Sequence, residues 1–243
     1  MSLGRRRYLW KHFNVFQDFI NLIYPKVCIS CGVGLFKYET YLCTKCRYSL
    51  PRAYFHQDIE RSWIRRQLYG RVPVFGSAAY YLFVKKTGVQ QILHYIKYKR
   101  GKGLAQYIGQ WMGAELKQVD WFKDVELLVP VPLHPKRQLE RGYNQSEEYS
   151  KGISAETGVY VQNLLRKNIY TSTQTRKRRY ERWENVRHNF LTEEDVRGYK
   201  HIALIDDVMT TGATFESAYQ VLVHGGFKGK LSIITIAMAS TVV

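Results

Sequence analysis

The chain has 243 residues, 45% of them hydrophobic, which is enough for one large globular domain or a medium one with a small appendage. Lys and Arg number 37 against 20 Asp and Glu, a formal net charge of +17, and that excess points to phosphate-rich partners while saying little about fold. No apolar run reaches the length that crosses a membrane, because the C-terminal LSIITIAMASTVV over residues 231–243 is too short.

Residues 8–24 place Phe13, Phe16, Phe19, Ile20 and Ile23 at helical intervals, so a helix with one apolar face is expected there, ended by Pro25. Lys11, His12, Asn14, Gln17 and Asp18 interrupt the apolar residues and argue against a secretory signal. All the cysteines follow, as Cys28-Ile-Ser-Cys31 and Cys43-Thr-Lys-Cys46. Two C-x-x-C knuckles supply four thiolates for tetrahedral Zn²⁺, and four sulfur ligands leave no open position, so the site is structural. With no signal and clustered thiols, a cytoplasmic protein is expected.

Residues 50–71 are polar and basic, with Arg61, Arg65, Arg66 and Arg71 around Trp63 and Leu68, and read as a linker helix. The expected boundary divides an N-terminal helix and four-cysteine zinc-binding domain, 1–60, from an α/β domain, 61–243. VPVFGSAAYYLF reads as a strand or hairpin, and residues 88–116 as two helices broken between Arg100 and Gly103. VELLVPVPL is a second apolar strand, ending at Leu133 and running into His134, Lys136, Arg137, Arg141, Gly142, Tyr143, Asn144 and Gln145. Basic and amide donors there make an anion site. Residues 171–190 are strongly basic, with Tyr180 and Trp183 among the charges, and read as a lid able to cover a diphosphate.

The most informative stretch is HIALIDDVMTTGATFESA, residues 201–218. An apolar run over 202–205 makes a buried strand of a parallel sheet, and Asp206 and Asp207 fall just past it, where open α/β sheets bind ligands. Thr210, Thr211, Gly212, Ala213 and Thr214 then lead into a helix that Gly225 and Gly226 end. Unpaired amides and the dipole at that helix start suit a phosphate monoester, and the threonine hydroxyls can donate to its oxygens. Two carboxylates would repel phosphate, so they face ribose hydroxyls or Mg²⁺ on the same ligand. A 5-phosphorylated ribose carrying a 1-diphosphate satisfies both halves. The rival, a Walker B strand, needs a G-x-x-x-x-G-K-[ST] loop, but Gly101-Lys102 and Gly229-Lys230 are followed by Gly103 and Leu231. LSIITIAMA then completes a β-α-β unit.

The apolar strand, two acids and T-T-G-x-T resemble the phosphoribosyl diphosphate signature of type I phosphoribosyltransferases. Together with the four cysteines, Ile96-Lys97-Tyr98-Lys99, Val129 to Leu133, Arg141 to Gln145, and Gln174, Arg182, Asn185 and Phe190, the whole resembles the ComF competence-protein family. The resemblance implies a type I phosphoribosyltransferase fold, a mostly parallel sheet flanked by helices, behind a small zinc ribbon. It implies a part in handling incoming single-stranded DNA during natural transformation, beside a competence helicase or other uptake proteins. It further implies that Asp206 and Asp207 hold the ribose, residues 210–214 the 5-phosphate, and the region of Leu133, Arg137 and Arg141 the diphosphate. Arg182 or Arg137 would serve the departing diphosphate with Mg²⁺. No acceptor-binding group or general base is evident, so a non-catalytic nucleic-acid-binding accessory role stands as the alternative.

Overall fold

The computed structural model describes residues 25–167, 190–192 and 194–239. The helix expected over 8–24 and the basic segment with Gln174, Arg182 and Asn185 lie outside the described residues. The chain divides into two compact units between Ser49 and Leu50, ahead of the 60/61 boundary expected from the sequence.

In the first unit, α1 (Thr44–Ser49) carries Cys46 and starts just after Cys43, and a turn between Cys28 and Cys31 precedes it. That turn closes through Gly32 N–H donating to Cys28 C=O at 2.8 Å and Cys28 N–H donating to Val33 C=O at 2.8 Å.

The second unit is a five-stranded sheet whose neighbouring strands all run parallel, flanked by helices. In chain order its elements are α2 (Trp63–Leu68), β1 (Val74–Phe83), α3 (Gly88–Tyr98), α4 (Lys102–Leu116), β2 (Leu127–Pro130), α5 (Pro135–Arg141) and α6 (Gln145–Thr157). Then come β3 (Tyr160–Val161), β4 (Arg166–Lys167), β5 (Phe190–Leu191), β6 (His201–Met209), α7 (Ala213–His224) and β7 (Lys230–Ala239). The sheet order is β1-β7-β6-β2-β3, while β4 and β5 form a small antiparallel pair.

Burial on both faces explains the uninterrupted apolar runs of β6 and β7. Leu127, Val129, Ile202, Leu204, Leu231 and Ile233 share a core with Ile64 and Leu68 of α2 and with Phe215, Ala218 and Leu222 of α7. Alternate residues face the opposite way, where α6 packs on β2 and β6, and α4 packs on α6. A Cβ at Gly109 or Gly152 would collide with the backbone of the other helix, so these glycines permit the close approach of α4 and α6. The six residues of α2 are not a linker: Ile64 and Leu68, one turn apart and so on one face, are wholly buried.

Chain direction sets the site. After β2 the chain moves to β3 on one side, and after β6 it moves to β7 on the other. The crevice between the carboxyl ends of β2 and β6 is therefore the switch point at which open α/β sheets bind ligands.

Candidate functional site

At this switch point Pro130 pairs with Ile205, and Val131 N–H donates to Ile205 C=O at 2.8 Å. Asp206 and Asp207 come next, beyond the last β2 pairing but still within β6, where Asp206 pairs with Thr235 of β7, and not past the strand's end as the apolar run suggested. Ser146 Oγ, in the first turn of α6, donates to Asp206 Oδ1 at 2.9 Å, and the Asp207 N–H donates to the same oxygen at 2.8 Å. Lys97 Nζ, in the last turn of α3, lies 3.0 Å from Asp207 Oδ2. Asp206 Oδ2 and Asp207 Oδ1 have no hydrogen-bond partner among the described residues. Burial and the neighbouring Asp207 charge raise the Asp206 carboxyl to about 7, more than its hydrogen bonds and Lys97 recover.

α6 is aimed at the pair by its own cap: Asn144 Oδ1 accepts from Ser146 N–H at 3.1 Å, while Asn144 Nδ2 donates to Val131 C=O at 3.0 Å. One side chain thus ties the helix start to the end of β2. This is the local work of Tyr143-Asn144-Gln145.

The turn after β6 leaves Thr210, Thr211, Ala213 and Thr214 exposed and Gly212 buried. Gly212 caps α7 in the left-handed region, φ 80°, which a side chain disfavours. Arg71 braces the turn from outside, donating to Thr211 C=O at 2.9 Å and to Glu216 at 2.8 Å.

Two further cations approach the acids. Lys167 carries its ammonium 4.2 Å from the Phe190 ring centre, and burial lowers its pKa while Asp206 opposes and Arg137 adds to the shift. Arg137 lines a cleft of about 360 Å³ with Lys97, Tyr98, Arg100, Glu140 and Arg141. Asp206 and Asp207 run along β6 into the 210–214 turn, while Arg137 shares a cleft with Lys97, the partner of Asp207, and with Arg141, whose guanidinium is 5.5 Å over the Tyr98 ring. Leu133 lies between the end of β2 and the start of α5. Arg182 lies outside the described residues.

Lys97, Ser146 and Lys167 are missing from the sequence reading. Lys97 lies in the segment Ile96-Lys97-Tyr98-Lys99, but only folding joins it to Asp207, and nothing local marks Lys167.

In the first unit the Sγ atoms of Cys28, Cys31, Cys43 and Cys46 all lie within 4.8 Å of one another. Cys43 N–H donates to Cys28 Sγ at 3.3 Å and Cys46 N–H to Cys43 Sγ at 3.4 Å. Burial raises the Cys28 thiol, yet backbone amides from Cys43, Cys31 and Ser30 outweigh it and bring it to about 7. Amides directed at sulfur and four converging thiols fit a structural metal ion such as zinc.

Among the described residues no helix is long and apolar enough to cross a membrane. No family model matches the chain. Competence protein F of Haemophilus influenzae is 31% identical over 44% of this chain and 48% of its own length, so that match spans about half of the relative. The DNA utilization protein YhgH of Escherichia coli K12 is 27% identical over 82% of this chain and 85% of its own. A solved structure of glutamine phosphoribosylpyrophosphate amidotransferase from B. subtilis, complexed with ADP and GMP, aligns at TM-score 0.43 with 17% identity, covering 60% of this chain and 30% of that one. The chain is a homologue of competence protein F and of the DNA utilization protein YhgH.

Proposed function

We propose that this protein is a cytoplasmic, ComF-like member of the type I phosphoribosyltransferases that binds phosphoribosyl diphosphate at the β2/β6 switch point and binds single-stranded DNA during uptake. The observation that carries the reading is the pair of carboxylate oxygens, Asp206 Oδ2 and Asp207 Oδ1, without a hydrogen-bond partner among the described residues, next to a hydroxyl-rich turn at a helix start. Carboxylates accept from the two ribose hydroxyls, while exposed Thr210, Thr211 and Thr214 and the first amides of α7 take the 5-phosphate. Lys97, Arg137 and Lys167 supply positive charge for the diphosphate arm.

Those oxygens are also hard donors of the kind Mg²⁺ takes, so Asp206 and Asp207 would hold the ion. When bound it supplies charge neutralisation for the diphosphate. The chain's own residues do the rest: the Asp pair orients the ring and favours positive charge developing at C1, and the cations receive the departing anion. The four thiolates of the first unit hold a structural Zn²⁺. Net charge of +17 supports nucleic acid as the macromolecular partner.

Titration calorimetry with phosphoribosyl diphosphate tests the site, with the double variant Asp206→Asn, Asp207→Asn as comparison. Binding by the wild type and its loss in the variant are expected, with single-stranded DNA binding retained; undiminished binding by the variant sinks the assignment. Diphosphate release across bases, amines and short DNA strands separates catalysis from the accessory alternative, since an accessory protein binds and releases nothing.

A further inference from the structure

We propose that the cleft beside Lys97 is a nucleotide site, which receives one unpaired base on Tyr98 and its phosphate on the guanidiniums of the rim. It rests on the proposed sugar-phosphate reading, with which it shares Lys97 and Arg137. Tyr98 is 63% exposed although it ends a helix whose Ile92 and Ile96 are fully buried. The His94 ring lies beside it, tilted by 45° with its centre 4.9 Å away, and the Arg141 guanidinium stands 5.5 Å from its centre. An exposed ring with a cation beside it is a stacking platform for a base, whatever its sequence.

The rim is charged in a pattern that matches the rest of a nucleotide. Arg100 and Arg137 have no ion pair or hydrogen bond among the described residues, and neither has Glu140, the lone acid of the cleft. Arg100 stands at φ 55°, a left-handed conformation uncommon for a side-chain residue, in the turn between α3 and α4. Three guanidiniums can grip a phosphate, and a single carboxylate can accept from the amino or imino edge of a base. The volume, about 360 Å³, lies at the small end of ligand sites and suits one nucleotide rather than a broad protein contact. Lys97 belongs both to this cleft and to the Asp207 ion pair, so an occupant sits against the Asp pair.

The test is fluorescence anisotropy of a labelled oligothymidylate on the full chain, with thymidine monophosphate as a separate ligand and phosphoribosyl diphosphate titrated into the same samples. Tyr98→Leu should weaken the strand roughly tenfold to hundredfold, Tyr98→Phe should restore it, and Tyr69→Leu, another exposed tyrosine, should leave it unchanged. Phosphoribosyl diphosphate binding should survive Tyr98→Leu, which also shows that this variant is folded. Strand binding at this cleft assigns it to an unpaired nucleic acid; monophosphate binding alone, equally lost in Tyr98→Leu, assigns it to a free nucleotide. Equal affinity of Tyr98→Leu and wild type for both ligands overturns the proposal, as does an equal loss in Tyr69→Leu. If no sample binds phosphoribosyl diphosphate while Tyr98 still governs strand binding, the sugar-phosphate reading fails and the nucleotide cleft stands.

Discussion

Lys97 is the counter-ion of Asp207: its ammonium, carried on the last turn of α3, lies 3.0 Å from a carboxylate that is only 14% exposed. Two adjacent acids repel each other, and this cation offsets part of that cost. Lys97→Met leaves Asp207 beside Asp206 without it. Because the pair is partly exposed, we expect a loss of roughly 1–2 kcal/mol rather than the larger cost of a fully buried pair. Phosphoribosyl diphosphate affinity should fall about tenfold with it, since the proposed site sets the same ammonium at the diphosphate arm. Urea denaturation and calorimetry read the two effects; unchanged stability would show that the pair contributes nothing.

Asp206 makes stability depend on pH in a particular sense. Its folded carboxyl titrates at about 7 against an ordinary 3.8, so between those values the folded chain holds a proton that the unfolded chain has lost. Stability from this group is therefore present at low pH and disappears as pH rises through 7. Asp206→Asn keeps an oxygen for the Ser146 and Asp207 donors but carries no charge. The variant should melt above the wild type at about pH 8, with the advantage shrinking toward pH 5. An advantage that grew on acidification would contradict the assignment.

How far the sequence discloses this arrangement depends on the range of each signal. The strand, turn and helix of residues 201–224 are legible because the apolar run, the acids, Gly212 and the terminal glycines are neighbours in the chain. The parallel sheet is legible for the same reason, since β6 and β7 lack the alternation of a half-exposed strand. Partners brought by topology are not legible. Lys97 and Ser146 reach the acids from α3 and α6, and no local pattern announces either contact. The polar composition of residues 50–71 suggests a linker helix and hides the packing of α2, whose Ile64 and Leu68 are buried in the core with Trp63 against it.

Gly212 is held by its conformation and by a neighbour at once. A Cβ added there would lie 2.6 Å from Leu68 Cδ2 and 2.9 Å from Met209 Cε, on a backbone at φ 80°. The left-handed conformation costs a side-chain residue roughly 1–2 kcal/mol and overpacking a further 1–3 kcal/mol. Gly212→Ala should therefore destabilise by roughly 2–5 kcal/mol. Leu68→Ala in the same chain should recover part of the steric share and none of the conformational share. A double variant no better than the sum of the two single variants would show that Leu68 is not what Gly212 makes room for.

The four cysteines give the most direct test, because their geometry has one economical explanation. Thiols packed within 4.8 Å with backbone amides directed at two of the sulfurs would, as thiolates, repel one another unless a cation sat among them. Metal binding in such a site is folding energy, so removing the metal should unfold the first unit first. Freshly purified protein should contain about one zinc per chain, the number four ligands hold. Treatment with a strong chelator should expose residues 25–49 to proteolysis while the sheet of the second unit stays protected. Cys46→Ser, which removes a buried ligand, should reproduce that pattern without chelator. Zinc-free protein whose first unit resists protease as well as the untreated chain does would show that the cysteines hold their fold without metal.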